Sequence, residues 1–205
     1  MRRALPALLA SLLALPALAQ DRPPLTPARD VSVTYRTTGP GPGAGPGAAG
    51  PEMRMSWLVA EQKLRVDMPG GMGWSVVDQR AQKMFMVMEQ QRVVMEVPMQ
   101  GGPGGLTIPT QPPDSARFSR GGSATIAGIP CTIWQYQDGP SRGEACLTAD
   151  GVMLRSSGTH GGQSGSVEAV AVAFGAQDPA RFRVPDGYRA MQLPGGMVPG
   201  RPPAR

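Results

Sequence analysis

The sequence predicts a mainly β chain folded as one antiparallel barrel or sandwich. Apolar and polar residues alternate at the two-residue period of a pleated strand, the alternating runs are short, and tight turns separate most of them. Along 205 residues there are about ten or eleven such runs.

The elements follow in order. Val31, Val33, Tyr35 and Thr37 share one face of the first strand. Met53, Met55, Trp57 and Val59 share a face of the second, and Leu64, Val66 and Met68 alternate with Lys63, Arg65 and Asp67 in the third. Pro69-Gly70-Gly71 turns the chain into Trp74 to Asp78. Residues 82–88 and 92–97 form the next hairpin. Residues 124–126, 131–136, 143–148 and 152–156 follow, and then 166–174. Within that last run, Ala169, Ala171 and Ala173 suit a helix by propensity, but the intervening valines and strict alternation favour strand. Residues 177–182 suggest a short helical turn.

The start of the chain is a secretory signal. Arg2 and Arg3 precede an apolar run that closes on Ala17-Leu18-Ala19, with small residues at −3 and −1 of a cut behind Ala19. The run is too short and too broken by Pro6 and Pro16 to span a membrane. No cysteine follows the cut to carry a lipid. The product is expected in the periplasm or secreted. The expected organisation is a signal peptide over 1–19, an extended lead-in over 20–30, a β domain over 31–190 and a disordered tail over 191–205. Segments 39–51 and 98–113 are nearly all Gly, Pro and small residues and read as mobile loops. Without Arg2 and Arg3 the formal charge falls from +5 to +3, and basic residues are scattered among acids rather than blocked. This argues against a nucleic-acid partner. A membrane barrel is excluded by short strands and an aromatic content of 5%.

Cys131 and Cys146 are the only cysteines, in a chain marked for export, and predict a disulfide. A four-residue loop over 137–140 would place them directly opposite one another. It would also spare Pro140 a ladder hydrogen bond that it cannot donate. No Cys-x-x-Cys spacing or basic neighbour points to redox chemistry.

No catalytic or metal-ligating constellation emerges, and an enzyme is not expected. The one histidine, His160, lies in a Gly-rich segment, and the serines near it miss the nucleophile-elbow pattern. Asp67, Asp78 and Glu96 could meet across neighbouring strands as a carboxylate pair, but such residues are ordinarily the solvated face of a sheet.

Methionine is the unusual commodity, at 13 residues. Met84, Met86 and Met88 fall on one face of a strand whose other face holds Phe85 and Val87, and Val93-Val94-Met95 repeats the pattern. A strand apolar on both sides must be covered twice or must present an apolar surface. Three readings compete: a core covered by a loop such as 98–113, a groove for an acyl chain lined by adaptable thioethers, and a copper(I) site of methionine sulfurs.

Several motifs carry a family resemblance. They are Lys63 to Asp67 followed by Trp74 to Asp78; Ala127 to Cys131 with Trp134; Cys146 to Gly151 with Leu154; and Phe182 to Tyr188. The chain resembles an uncharacterised family of exported bacterial proteins known only as a domain of unknown function. That family is similar to the periplasmic lipoprotein carriers of the LolA/LolB type. The resemblance implies a half-open antiparallel barrel whose concave apolar face takes acyl chains under a helical lid. Here the regions where carriers place their plugging helices, 21–29 and 98–113, are too rich in proline or glycine to be stable helices.

The combined expectation is a single antiparallel sheet of about ten to eleven strands curved into an incomplete barrel. It would be non-catalytic, without cofactor, and not membrane-spanning after cleavage. It would bind a lipid or lipoprotein acyl chain on a concave face lined by Trp57, Met84, Met86, Met88 and Met95. The alternatives are an envelope scaffold acting through a protein partner and, third, copper(I) binding.

Overall fold

The computed structural model describes residues 22–38, 50–100, 112, 114–160 and 163–191. The segment 1–19 expected to be a signal peptide, most of both Gly/Pro loops and the tail beyond Met191 lie outside these residues.

Twelve strands form one sheet: β1 Val31–Thr38, β2 Glu52–Leu58, β3 Lys63–Asp67, β4 Trp74–Asp78, β5 Lys83–Met88, β6 Val93–Pro98, β7 Arg117–Ile126, β8 Ile129–Asp138, β9 Ser141–Leu147, β10 Met153–His160, β11 Gln163–Phe174 and β12 Arg189–Met191. Their order is β12-β6-β5-β4-β3-β2-β1-β11-β10-β9-β8-β7, and the two outer strands do not pair, so the barrel is incomplete. Two meanders, β1–β6 and β7–β11, meet where β1 pairs antiparallel with β11. The count exceeds the sequence expectation by β12, a three-residue strand that runs parallel to β6. β7 is also longer than its predicted core of 124–126.

Curvature has a local cause. Bulges interrupt the ladders between Thr34 and Tyr35, between Met153 and Arg155, and between Arg120 and Ser123. Each extra residue bends its strand and increases the local twist. The extra residues lie in β11, β10 and β7, all in the second meander. Hairpin ends in the first meander share another device. Gln62, Gln82 and Arg92, each directly before a strand, adopt φ of 55, 52 and 52°. A non-glycine residue in that region carries a small conformational penalty, offset here by the strand pairing it starts.

The alternating face of β1 anchors the core. Val31, Val33 and Tyr35 are fully buried, packed with Ile126, Cys131, Cys146, Val152, Leu154 and Ala169. The Tyr35 hydroxyl reaches over β11 to donate to the Met153 carbonyl at 2.6 Å, which requires the sheet to bend toward that side. Burial pushes its pKa well above the usual tyrosine range.

The Cys131–Cys146 disulfide is present, with Cα atoms 5.4 Å apart. The hairpin that carries it corrects the sequence expectation. Asp138 pairs with Ser141, so the turn is the two-residue Gly139-Pro140, and Cys146 lies opposite Ile133 rather than Cys131. The bridge therefore runs diagonally, between residues two positions out of register. Gly139 has φ 55°, and proline cannot follow it into positive φ, which fixes a type II′ turn. At the second central position of that turn no ladder N–H is required, so Pro140 is tolerated without a longer loop.

The lead-in over 22–30 has neither strand nor helix. It is tied to the β9–β10 turn: Ala28 N–H donates to the Asp150 carbonyl at 2.9 Å, and Arg29 Nε to Asp150 Oδ2 at 2.7 Å. Asp30 then joins three elements, accepting from Val59 N–H at 2.8 Å and Gln177 N–H at 3.1 Å through its carboxylate and from Gly175 N–H through its carbonyl. Asp150 also accepts from the Thr148 hydroxyl. That bond, with Arg29 beside it, holds its carboxyl below the usual aspartate range against a smaller opposing effect of burial. A depressed folded pKa contributes stability that is complete above the unfolded pKa, about 4, and is lost as pH falls through the folded value. Asp150→Asn removes that contribution. The stability gap between wild type and variant, measured by urea titration, is therefore expected at neutral pH and should close as the pH is lowered below about 4. A gap independent of pH would show that the carboxylate charge is not involved.

Candidate functional site

Register across the first meander shows what the methionines do. One row of directly opposed residues runs Val31, Trp57, Leu64, Val77, Met84, Val97. The next runs Val33, Met55, Val66, Ser75, Met86, Met95. These positions are two apart on every strand, so both rows project to the same face. Met53 joins them opposite Tyr35, and Met88 opposite Val93. Ser75 is the one polar side chain in the two rows, and it is buried.

All five predicted lining residues, Trp57, Met84, Met86, Met88 and Met95, are therefore on one face of the sheet, and each is half-buried. Met86 and Met95 are directly opposed. Met53, Met55, Leu64 and Val66 share the face and its partial exposure. The sequence showed their alternation, but only pairing register reveals which alternating faces coincide.

The other face is covered by the chain itself. After β11, Asp178 caps a single 3-10 turn, Pro179–Phe182, by accepting from Ala180 N–H at 2.9 Å. This turn sets Phe182, with no solvent exposure, against Leu58, Trp74, Val76 and Val87. Phe85, Val94 and Tyr188 close around the same cluster. Arg65 stacks on the Trp74 ring at 3.9 Å and donates to the Arg181 carbonyl, while Arg181 pairs with Asp67 at 3.1 Å. The cover of Phe85 and Val87 is thus the segment 178–188. Sequence reasoning looked to loop 98–113 for it, and most of that loop lies outside the described residues.

The remaining candidates do not assemble. Asp67 is held by Arg65 and Arg181, Asp78 by Lys63 at 3.7 Å, and Glu96 by Lys83 at 2.7 Å. They occupy three different cross-strand rows, each beside a cation, which leaves no carboxylate pair. His160 ends β10, paired with Gln163 across the hairpin. Among the described residues no three His, Cys, Asp or Glu side chains group as a metal site. No described helix is long and apolar enough to cross a membrane.

With this geometry in view, the comparisons are specific about family. A model of a domain of unknown function, DUF4412, matches residues 48–164, more than half of the chain. The chain belongs to the DUF4412 family. The matched span runs from the start of β2 to the β10–β11 hairpin and includes the methionine face and the disulfide. Comparison with curated proteins gives no match. Among solved structures, an uncharacterized conserved protein from Thermus thermophilus superposes with a TM-score of 0.53 at 11% identity, over 81% of this chain and 91% of that one. MucB superposes with a TM-score of 0.52 at 12% identity, over 80% of this chain and 60% of that one. The DUF4412 chain thus spans less than two thirds of MucB's length. A putative outer membrane lipoprotein-sorting protein domain from Vibrio parahaemolyticus has a TM-score of 0.39 at 10% identity, over 75% of this chain and 89% of that one. The first two show a shared fold.

Proposed function

We propose that this DUF4412 protein is a non-catalytic binding protein of the periplasm, exported by a signal peptide cleaved behind Ala19. Its methionine face takes the acyl chain of a lipid or lipoprotein. One observation carries the reading: Trp57, Met84, Met86, Met88 and Met95, with Met53, Met55, Leu64 and Val66, are apolar and half-buried on one face, while the other face is sealed by Phe182 and its neighbours. Thioether side chains rearrange readily around an irregular chain. Each methylene removed from water contributes about 0.8 kcal/mol, so a modest length of acyl chain supplies useful affinity without any charged contact. The fold shared with MucB supports a binding role, and MucB itself is known in complex with MucA(peri).

Native mass spectrometry of protein purified from the periplasm should show bound lipid, and a dansyl-labelled fatty acid should gain fluorescence on binding. Met86→Glu places a carboxylate in the centre of the rows and is expected to weaken the probe by about ten-fold or more, while Met86→Leu retains it. Glu96→Gln, on the covered face, serves as a control. Absence of lipid together with a silent probe would refute the reading, and recovery of a protein partner alone would favour a scaffold.

A further inference from the structure

The second methionine row continues to the edge of the sheet. β12 pairs parallel with β6, and Met191 lies directly opposite Met95. Three neighbouring strands, β5, β6 and β12, therefore set Met86, Met95 and Met191 side by side on one face. Exposure rises toward the edge: Met86 and Met95 are half-buried, and Met191 is 50% exposed. Met84 and Met88 stand two residues to either side of Met86 and share its face.

An apolar lining does not require sulfur. Leucine offers comparable apolar surface with fewer rotatable bonds, and it loses less freedom when a ligand settles on it. What methionine adds is a thioether that oxidants attack. Both cysteines of the chain are joined in the disulfide, so no thiol competes for an oxidant. The oxidisable atoms of the face are thus the same atoms that form its apolar surface, and they are reached from the open edge.

Hydrogen peroxide acts by transferring one oxygen to the sulfur. A sulfur lone pair forms the S–O bond as the O–O bond breaks. The proton of the transferred oxygen passes to the departing hydroxide, which leaves as water. Sulfur is oxidised by two electrons and the peroxide is reduced by two. The sulfoxide is a polar hydrogen-bond acceptor. An acyl chain has no donor to offer it, so covering the oxidised face costs free energy that covering the thioethers does not.

We infer that Met84, Met86, Met88, Met95 and Met191 form an oxidation site whose conversion to sulfoxide by peroxide switches off acyl-chain binding. The effect on binding rests on the acyl-chain reading, whereas the position of the site does not. The whole protein would be treated with hydrogen peroxide, mapped by peptide mass spectrometry and titrated with the dansyl fatty acid before and after. The five methionines are expected to gain one oxygen each, Met99 at 3% exposure to stay unmodified, and the probe to bind about ten-fold or more weakly. Circular dichroism should be unchanged, which separates a lost surface from a lost fold. Fatty acid present during oxidation should slow modification of Met86 and Met95 but not of Met72, which is 60% exposed in the β3–β4 turn. Met72→Leu should leave the peroxide effect intact. In M84L/M86L/M88L/M95L/M191L, affinity before and after peroxide should differ by less than about two-fold. The inference is overturned if the oxidised wild type binds as tightly as the reduced, if the five methionines resist peroxide as Met99 does, if the β signal is lost on oxidation, or if the leucine variant weakens as much as the wild type. A reduced wild type that never binds the probe instead refutes the acyl-chain reading, and with it the effect on binding.

Discussion

Phe182→Ala is expected to lower the unfolding free energy by about 3–5 kcal/mol, read as a shift in the urea midpoint. The side chain has no solvent exposure and sits at the centre of the cluster formed by Leu58, Trp74, Val76 and Val87. Truncation leaves a cavity between the sheet and the segment 178–188. The fixed backbone around it, held by the Arg181–Asp67 pair and the β12–β6 ladder, limits collapse into that space. A second effect should accompany the loss. With the cover loosened, β4 and β5 become apolar on two accessible sides, so the variant should bind a dye for exposed apolar surface and aggregate sooner on heating. A loss below about 1 kcal/mol would show that the segment rests on the sheet without holding it.

Reduction of the Cys131–Cys146 bond is expected to remove about 3 kcal/mol, the chain-entropy value for a closed loop of 15 residues. Comparing oxidised with reduced wild type isolates the covalent link, because both sulfurs stay in the core beside Ile126 and Leu154. Cys131→Ala/Cys146→Ala should lose somewhat more, since it also removes buried volume. The effect should appear mainly in the equilibrium midpoint and leave the fatty-acid probe bound below the transition, as the bridge joins β8 and β9 of the second meander while Met84, Met86, Met88 and Met95 lie on β5 and β6 of the first. An unchanged midpoint on reduction would mean that the hairpin is closed as firmly by its ladder alone.

The fold was legible where alternation is strict. Val31, Val33 and Tyr35 read as one face and are the fully buried residues of β1. The alanine–valine run resolved as strand, in β11, because its pairing with β1 outweighs the helical preference of alanine. What escaped the sequence was decided by distant partners. Ser119, Arg120, Gly121 and Gly122 have no apolar period, yet they extend β7 because β8 supplies the hydrogen bonds and a bulge absorbs the glycines. β12 has three residues and pairs with β6 only after the chain has crossed the sheet. The disulfide pairing was readable from the presence of just two cysteines and the expectation of export, but its register was not. Asp138-Gly139 looks like the centre of the turn, whereas the conformational demands of Gly139-Pro140 move it by one residue. At the candidate site the methionines of β5 stood out by composition. Their neighbours in β2 and β3 joined them only through register, which a single strand does not encode.

The seam between β1 and β11 has a consequence for how the chain reaches this state. Each meander is wired by hairpins between successive strands, and apart from the β1–β2 connection their loops are short and close quickly. The junction of the meanders instead brings together residues far apart in the chain, Val31 beside Phe174, and must bear the entropy of closing so long a loop. Assembly should therefore be biphasic: two locally organised halves appear early and dock late. Substitutions along the seam would slow the final phase while leaving the first untouched.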